Sequence, residues 1–520
     1  MICKISRSLS IQVFRHLLLV TLACSLLGTL QWAQAAPPNT AQSQSGSSTQ
    51  PATGLNQINH IIFLAQENRS FDHYFGQLRQ YWAQNGYPDQ SFDGLPQFNP
   101  TTGIAPLYGP PPTNRGCDPA FPPPADCKAD NSSPKVTSFA LLTECTENTS
   151  PSWNEAHVDW NLSNPVSSTP TMTGFAWTAA HDARNNAPPY YDTNGIRAMG
   201  YYTATDLNYY YFMASNFATS DRWFHPAMSR TSPNREYLYA ATSQGTVYPY
   251  GTDSQDSQYL TAPTILQELQ TAGITWKIYV NPQNSTCTGP PYDPKCLLTL
   301  SYVQYFTFGQ AIPTSYPNNI APISQYFTDL QNNTLPQVAV IEPATDAGLD
   351  EHPSVTDTAP SNIQLGAAYV SSLINGLMTS SSWKDSVFIL TYDEAGGLYD
   401  HVAPRASVSP DGIKPKDLLP GDICTVTTGP NCDFVYTGYR VPLIVVSPFT
   451  KKNYVSHTIM DSTAILKLIE TRFALPSLTA RDAKQTNMTQ FFNFRNPPWL
   501  TPPTPPVQST NGPCYLNTLP

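Results

Sequence analysis

Two acidic pairs and one hydroxyl-bearing turn hold the residues whose types and spacing could do chemistry. Glu67 and Asn68 follow directly on an apolar run, Ile58, Ile61, Ile62, Phe63 and Leu64, which has the β-branched and aromatic content of a buried strand. Asp393 and Glu394 end a second such run, Ser386 to Thr391, and are followed by Ala395-Gly396-Gly397. Adjacent like charges repel unless a cation or a proton relieves them. Carboxylate and amide oxygens are typical ligands of hard cations. A solvated acidic turn remains open at each place when it is read alone. Thr231 and Ser232 lie in Ser229-Arg230-Thr231-Ser232-Pro233-Asn234-Arg235, a turn expected to feed a helix over Glu236 to Thr242. Capping that helix is one use for either hydroxyl. The other is chemical, because a helix N-terminus favours an alkoxide and an incoming phosphate.

The elements that must position these groups alternate. Short strands are expected at Phe217 to Phe224, Ile274 to Val280, Gln337 to Ile341 and Val441 to Val446. Helices are expected at Leu207 to Phe217, Thr264 to Leu269 and Ile363 to Met378, with a further amphipathic one ending at Phe473. The alternation predicts a largely parallel α/β sheet with helices on both faces. In open sheets of that kind ligands bind outside the carboxyl ends of the strands, where both acidic pairs fall. Lys277 lies in one expected strand and is a weak candidate for holding a phosphate oxygen. His157 sits between Trp153 and Trp160 and is expected to be a packed loop residue unless a partner set gives it chemistry.

Composition bounds the rest. Met1 to Ala35 reads as a secretory signal: Lys4, Arg7 and Arg15 precede the apolar run Leu17 to Leu30, and Ala33-Gln34-Ala35 is a small-residue cleavage site. Cleavage before Cys24 as a lipoprotein is disfavoured by Thr21. Without that segment, 24 Lys+Arg stand against 37 Asp+Glu, a net charge of -13, which argues against nucleic acid and against docking on anionic lipid. No later stretch is expected to span a membrane. Eight cysteines remain, an even number suited to an oxidising compartment. Close spacing suggests Cys117–Cys127, Cys287–Cys296 and Cys424–Cys432, leaving Cys145 with Cys514. No CxxC pair supports a zinc ribbon. The expected organisation is a signal over 1–35, a disordered linker over 36–55, a catalytic domain over 56–495 and a Pro-rich tail over 496–520. The 51 prolines and 29 tyrosines predict long ordered loops.

Seven blocks occur in one order: QENRSFDHYFG (Gln66–Gly76), HVDWN (His157–Asn161), MGYYTATDL (Met199–Leu207), SRTSPNREYL (Ser229–Leu238), DEHP (Asp350–Pro353), TYDEAGGLYDHV (Thr391–Val402), and RVPLIVVSP with SHTIMD (Arg440–Asp461). Together they resemble the bacterial phosphoesterase family that contains phospholipases C and a group of acid phosphatases. The resemblance implies an alkaline-phosphatase-like α/β/α sandwich, Thr231 as nucleophile, and a divalent cation (Ca²⁺, Mg²⁺ or Mn²⁺) beside Glu67, Asn68, Thr231, Asp393 and Glu394. It implies phosphoryl contacts for His157 and His352, and a less defined role for His401. Asn68 and Arg230 are expected to face the substrate. Three departures stand out: Ser229-Arg230 replaces the usual Gly-Pro before the nucleophile, Ala395 interrupts a glycine run, and Thr173 replaces an acid. The expected activity is phospholipase C action on a phosphatidylcholine-type diester. Acid phosphatase action on monoesters would use the same residues. A non-catalytic exported binding protein is the reading from another class, and a serine hydrolase is disfavoured because no GxSxG occurs.

Overall fold

Apolar runs without alternating polar residues need cover on both faces, and the sheet obeys this. The computed structural model describes residues 54–99, 109–117, 127–128, 133–186, 189–249, 259–354 and 361–519. The expected signal segment, its cleavage site and the linker up to residue 53 lie outside the described residues. Among the described residues, eight strands form one sheet: β1 (His60–Gln66), β2 (Ala218–Ser220), β3 (Trp276–Val280), β4 (Ile320–Pro322), β5 (Val338–Ile341), β6 (Ser386–Tyr392), β7 (Ile444–Val446) and β8 (Tyr454–Ser456). Their spatial order is β8-β2-β7-β6-β1-β5-β3-β4. β1 pairs in parallel with β5 and β6, and only β7 runs against its neighbours. Every residue of β5, β6 and β7 is buried, as is β1 after His60.

Helices cover this α/β sheet in two groups, giving the three-layer sandwich. One group is α3 (Asn208–Asn216), α6 (Ile323–Asn332) and α7 (Ile363–Thr379), with α7 packed on the other two. The second is α4 (Thr231–Ala240), α5 (Ile265–Thr271) and α8 (Thr463–Phe473), with α4 packed on its partners. Two further helices are α1 (Phe71–Phe75), which follows β1, and α2 (Trp153–Trp160). In α7 the buried Ile363, Ala367, Val370, Ile374 and Leu377 recur every three or four residues, the spacing of one helix face. Asn362 caps it by accepting from the Gln364 and Leu365 amides.

Several expected boundaries move. The run Phe217 to Phe224 is two strands, because the Arg222 amide donates to Ser220 Oγ (3.1 Å) and turns the chain. Its second half, Trp223–Phe224, pairs with Met460–Asp461 in a separate small sheet. α4 starts at Thr231 rather than Glu236, with Arg230 in the capping position and Pro233 in the first turn, where a missing N–H costs nothing. Asn234 pins that start: its Nδ2 donates to Ser229 O (2.7 Å) and its Oδ1 accepts from the Ala227 amide (2.9 Å). His157 lies in a helix, α2, rather than a loop. The four disulfides are Cys117–Cys127, Cys145–Cys514, Cys287–Cys296 and Cys424–Cys432. The tail is held by more than Cys514, since Arg197 donates to the Leu516 and Thr518 carbonyls.

Candidate active site

Register places the first acidic pair against the second. Gln66 is opposite Tyr392 in the β1–β6 ladder, so Glu67 and Asp393 leave the sheet side by side. Asn68 takes a left-handed backbone (φ 56°) and donates its amide to Asp393 Oδ1 (3.1 Å). The Glu394 amide donates to the same oxygen (2.8 Å). Gly396 is required here: it has a positive φ, and a Cβ would lie 2.4 Å from the Asn68 carbonyl oxygen. Its amide donates to Glu394 Oε2, while Glu394 Oε1 is buried with no partner.

Thr231 enters from α4. As the first helical residue, it presents its hydroxyl beside the free amides of the helix start. Thr231 Oγ1 lies 3.3 Å from Glu67 Oε2 and 3.4 Å from Asn68 Oδ1, so its proton is directed at either oxygen. Arg230, immediately before it, donates to Ser152 Oγ (3.3 Å) at the start of α2.

Arg235 balances part of the charge. It lies four residues after Thr231 on α4, hence on the same helix face. Its guanidinium reaches Glu67 Oε1 (2.7 Å) and Asp393 Oδ2 (3.3 Å), approaches Glu342 Oε2 (3.7 Å), and stacks 4.6 Å from the Tyr302 ring centroid. One guanidinium does not neutralise this group. Burial, with Arg235 opposing and Asp350 adding to it, pushes the Glu67 carboxyl above its usual range. Burial and the Glu67 charge push Asp393 up to about 7 against the pull of Arg235. Burial and Asp393 push Glu394 well above the ordinary value. Glu67 Oε2, Asn68 Oδ1 and Thr231 Oγ1 lie together, and Asp393 and Glu394, the latter with one unpartnered oxygen, follow the adjoining strand; oxygen-rich surroundings with excess negative charge suit a hard divalent cation.

Two other groups of candidate ligands are already occupied. Asp72, Asp400 and His401 bring ligand atoms within 4.8 Å of one another, yet Arg440 fills their midst at 3.0 Å from both Asp72 and Asp400. His157 lies near Cys424 and Cys432, whose sulfurs are spent in their disulfide.

The histidines are placed differently from one another. His352 is beside the site: the Glu67 amide donates to the Asp350 carbonyl (3.0 Å), and the His352 amide to Asp350 Oδ1 (3.2 Å). His352 Nδ1 donates to the Pro353 carbonyl (2.6 Å), which fixes the orientation of the ring. His157 is fully buried, with Nδ1 2.7 Å from the Trp153 carbonyl and Nε2 3.1 Å from the Asn431 carbonyl. His401 packs between Asp72 (2.6 Å) and Asp93 (3.2 Å). Lys277 is paired with Asp329 (2.7 Å) and lies level with Ala339 in mid-sheet, short of the carboxyl edge. Sequence alone assigns no role to Arg235, Tyr302 or Glu342. For Arg235 the signal was present, since Thr231 and Arg235 are spaced i, i+4, but the expected late helix start concealed it.

The profile of the Phosphoesterase family matches residues 58–476. Phospholipase C B of Mycobacterium tuberculosis is 30% identical over 90% of this chain and 82% of its own. The non-hemolytic phospholipase C of Pseudomonas aeruginosa is 27% identical over 85% of this chain and 58% of its own. A solved protein of the alkaline phosphatase superfamily from Vibrio parahaemolyticus aligns over 53% of this chain and 63% of its own, at 11% identity and a TM-score of 0.30, too slight a likeness to build on.

Proposed function

The chain belongs to the Phosphoesterase family and is a phosphoric ester hydrolase, and from that premise we propose that it is an exported, cation-dependent phospholipase C acting through a phosphothreonine at Thr231. The observation that carries this reading is the Thr231 hydroxyl on a helix start, facing Glu67 and Asn68 at the strand end beside Asp393 and Glu394. The four disulfides fit an oxidising compartment, and among the described residues no helix is long and apolar enough to cross a membrane. Both accord with export behind the Met1 to Ala35 signal.

Glu67, Asn68, Thr231, Asp393 and Glu394 would hold the cation. When bound, a divalent cation at such a site polarises a phosphoryl group and lowers the pKa of an adjacent hydroxyl. The α4 amides and Arg230 receive the phosphoryl oxygens, with the helix dipole favouring negative charge there. Thr231 Oγ1 gives up its proton towards Glu67 Oε2 and attacks phosphorus, forming a Thr–O–P bond as the bond to the diacylglycerol oxygen breaks. His352, its Nδ1 tied to Pro353, delivers a proton from Nε2 to the departing oxygen. The same nitrogen then takes a proton from the water that attacks phosphorus, and as the Thr–O–P bond breaks Glu67 returns its proton to Thr231 Oγ1, freeing the phosphorylated head group. Arg235 holds Glu67 and Asp393 in place throughout, with both contacts buried.

The test compares p-nitrophenyl phosphorylcholine with p-nitrophenyl phosphate, with and without a chelator. Faster diester turnover, abolished by chelation and restored by Ca²⁺, Mg²⁺ or Mn²⁺, supports the reading. Faster monoester turnover makes the protein an acid phosphatase on the same residues, and chelator-resistant turnover removes the cation from the mechanism.

A further inference from the structure

One excursion of the chain leaves the fold beside the Thr231 centre and holds an aliphatic side chain out in solvent. It runs from Ser407 to Val435, and its ends are pinned together where the Ser407 amide donates to the Val435 carbonyl (2.7 Å). Two tethers fix it to the residues around Thr231. Asn154 Nδ2 donates to Asp422 Oδ1 (2.8 Å) and Asn154 Oδ1 accepts from the Ile423 amide (2.9 Å), two residues beyond Ser152, which Arg230 reaches. Asp417 accepts from the Val247 and Tyr248 amides (2.9 and 3.2 Å), and the Val247 carbonyl accepts from Ser229 Oγ (2.5 Å), two residues before Thr231. Thr231, Arg230, Ser152 and Asn154 are all half-buried, so a strip in contact with solvent leads from the hydroxyl to the excursion.

The outer part of this excursion is unlike the rest of an acidic chain. No Asp, Glu, Lys, Arg or His lies between Asp422 and Asp433, nor between Asp159 and His181. The two uncharged stretches meet where Asn431 Nδ2 donates to the Pro165 carbonyl (2.9 Å). The lysines of the excursion, Lys414 and Lys416, sit at its base against Gly245. Three exposed aliphatic residues, Ile413, Leu419 and Val426, fall within it, and Val426 is 92% exposed. The Cys424–Cys432 disulfide closes the turn that bears Val426, while Leu418 and Phe434 join the buried cluster around Trp153. A tip held in place before it binds loses little conformational freedom on binding. An uncharged tip also leaves water without the penalty that a charged one would meet.

We propose that the tip around Val426, with the uncharged loop 160–173 beside it, docks the protein on the surface of a zwitterionic phospholipid bilayer. The proposal rests on the phospholipase reading, in which the scissile phosphate must reach Thr231 from a lipid surface, and it names the part of the chain that meets that surface. The net charge of -10 disfavours an anionic bilayer, and the uncharged tip supplies nothing to attract one.

The experiment reads binding by sedimentation with phosphatidylcholine vesicles, in Thr231→Ala protein so that the lipid survives. Val426→Asp should weaken binding about tenfold or more, and Val426→Ser about threefold, in line with the burial of one valine. Val507 is the control: it is 91% exposed, but its carbonyl is tied to Asn208 on α3 in the other helix layer, and Val507→Asp should leave binding unchanged. With Thr231 intact, Val426→Asp should hydrolyse soluble p-nitrophenyl phosphorylcholine at the wild-type rate, which also certifies its fold. On vesicle phosphatidylcholine it should be about tenfold slower. Equal vesicle binding by Val426→Asp and its parent, equal losses from the two valines, or equal slowing on both substrates overturns the docking surface. So does a dimer that Val426→Asp splits, since a second copy of the chain would then cover the tip. If vesicles bind through Val426 but the wild type turns over neither diester, the phospholipase reading falls and the docking surface stands. Soluble turnover with vesicle binding absent or indifferent to Val426 fells the docking surface alone.

Discussion

Two buried carboxylate centres lie within a few residues of the same strand ends, and they are satisfied in opposite ways. Glu351 is completely buried, and both its oxygens are filled by neutral donors. Oε1 accepts from Tyr210 (2.5 Å) and Gln66 (3.2 Å), Oε2 from Tyr74 (2.6 Å) and Tyr392 (2.7 Å). Glu394 is equally buried but has one oxygen with no partner, beside two further carboxylates and a single guanidinium. A carboxylate closed by hydroxyls is a structural pin, and its chemistry is finished when the chain folds. A carboxylate with one oxygen left open, beside two others that Arg235 only partly balances, keeps the capacity to take up a cation or a proton.

The largest effect that can break this contrast is on turnover. Thr231→Ala is expected to cost about 10⁴-fold or more in kcat while shifting the melting temperature little, since the side chain removed is small and half-buried. Full turnover in that variant would move the nucleophile to Ser232. Next comes the cation. A divalent ion at 100 times its Kd should stabilise the protein by about 2.7 kcal/mol. In Glu394→Gln, thermal scans should show most of that gain gone, while Glu351→Gln should keep it. Equal cation responses in the two variants would erase the distinction between the centres.

Stability reads the other side of the contrast. Glu351→Ala strands the hydroxyls of Tyr74, Tyr210 and Tyr392, and denaturant titration should show a loss of about 3 kcal/mol or more. A smaller effect belongs to His401. Burial opposes its charged form, but Asp72 and Asp93 outweigh burial and raise its pKa to about 9. A histidine raised in the folded state contributes stability fully present below its unfolded pKa of about 6.5 and lost as pH rises through about 9. Unfolding free energy should therefore decline across that window in the wild type and be flatter in His401→Asn. Smallest of all, Lys277→Met removes a partly exposed pair with Asp329, which should cost at most about 1 kcal/mol and leave turnover unchanged.

Local chemistry makes part of this site legible in the sequence. Acids directly after β-branched apolar runs marked the ends of β1 and β6, because a charge cannot follow a strand into a two-sided core. Short cysteine spacings indicated three of the disulfides, and the remaining pair followed. Long-range pairing was not legible. The tyrosines around Glu351 come from positions as far apart as Tyr74 and Tyr392, and nothing in their own neighbourhoods announces that they converge. The reversed direction of β7 is set by its partners β6 and β2, and an apolar run reads the same either way.

The amino-acid sequence by itself determined the parts list: a family pattern in order, a hydroxyl at a helix start, and two acidic strand ends. Those are local properties, dictated by side-chain chemistry and backbone preference within a few residues. Only the tertiary structure decided which carboxylate is closed and which is left open. Ladder register set Glu67 against Asp393, the early start of α4 brought Thr231 and Arg235 to them together, and Tyr302 arrived from a distant helical turn to stack on Arg235 and meet Glu67. Burial and the count of partners around each oxygen exist only after packing, and they separate a pin from a site.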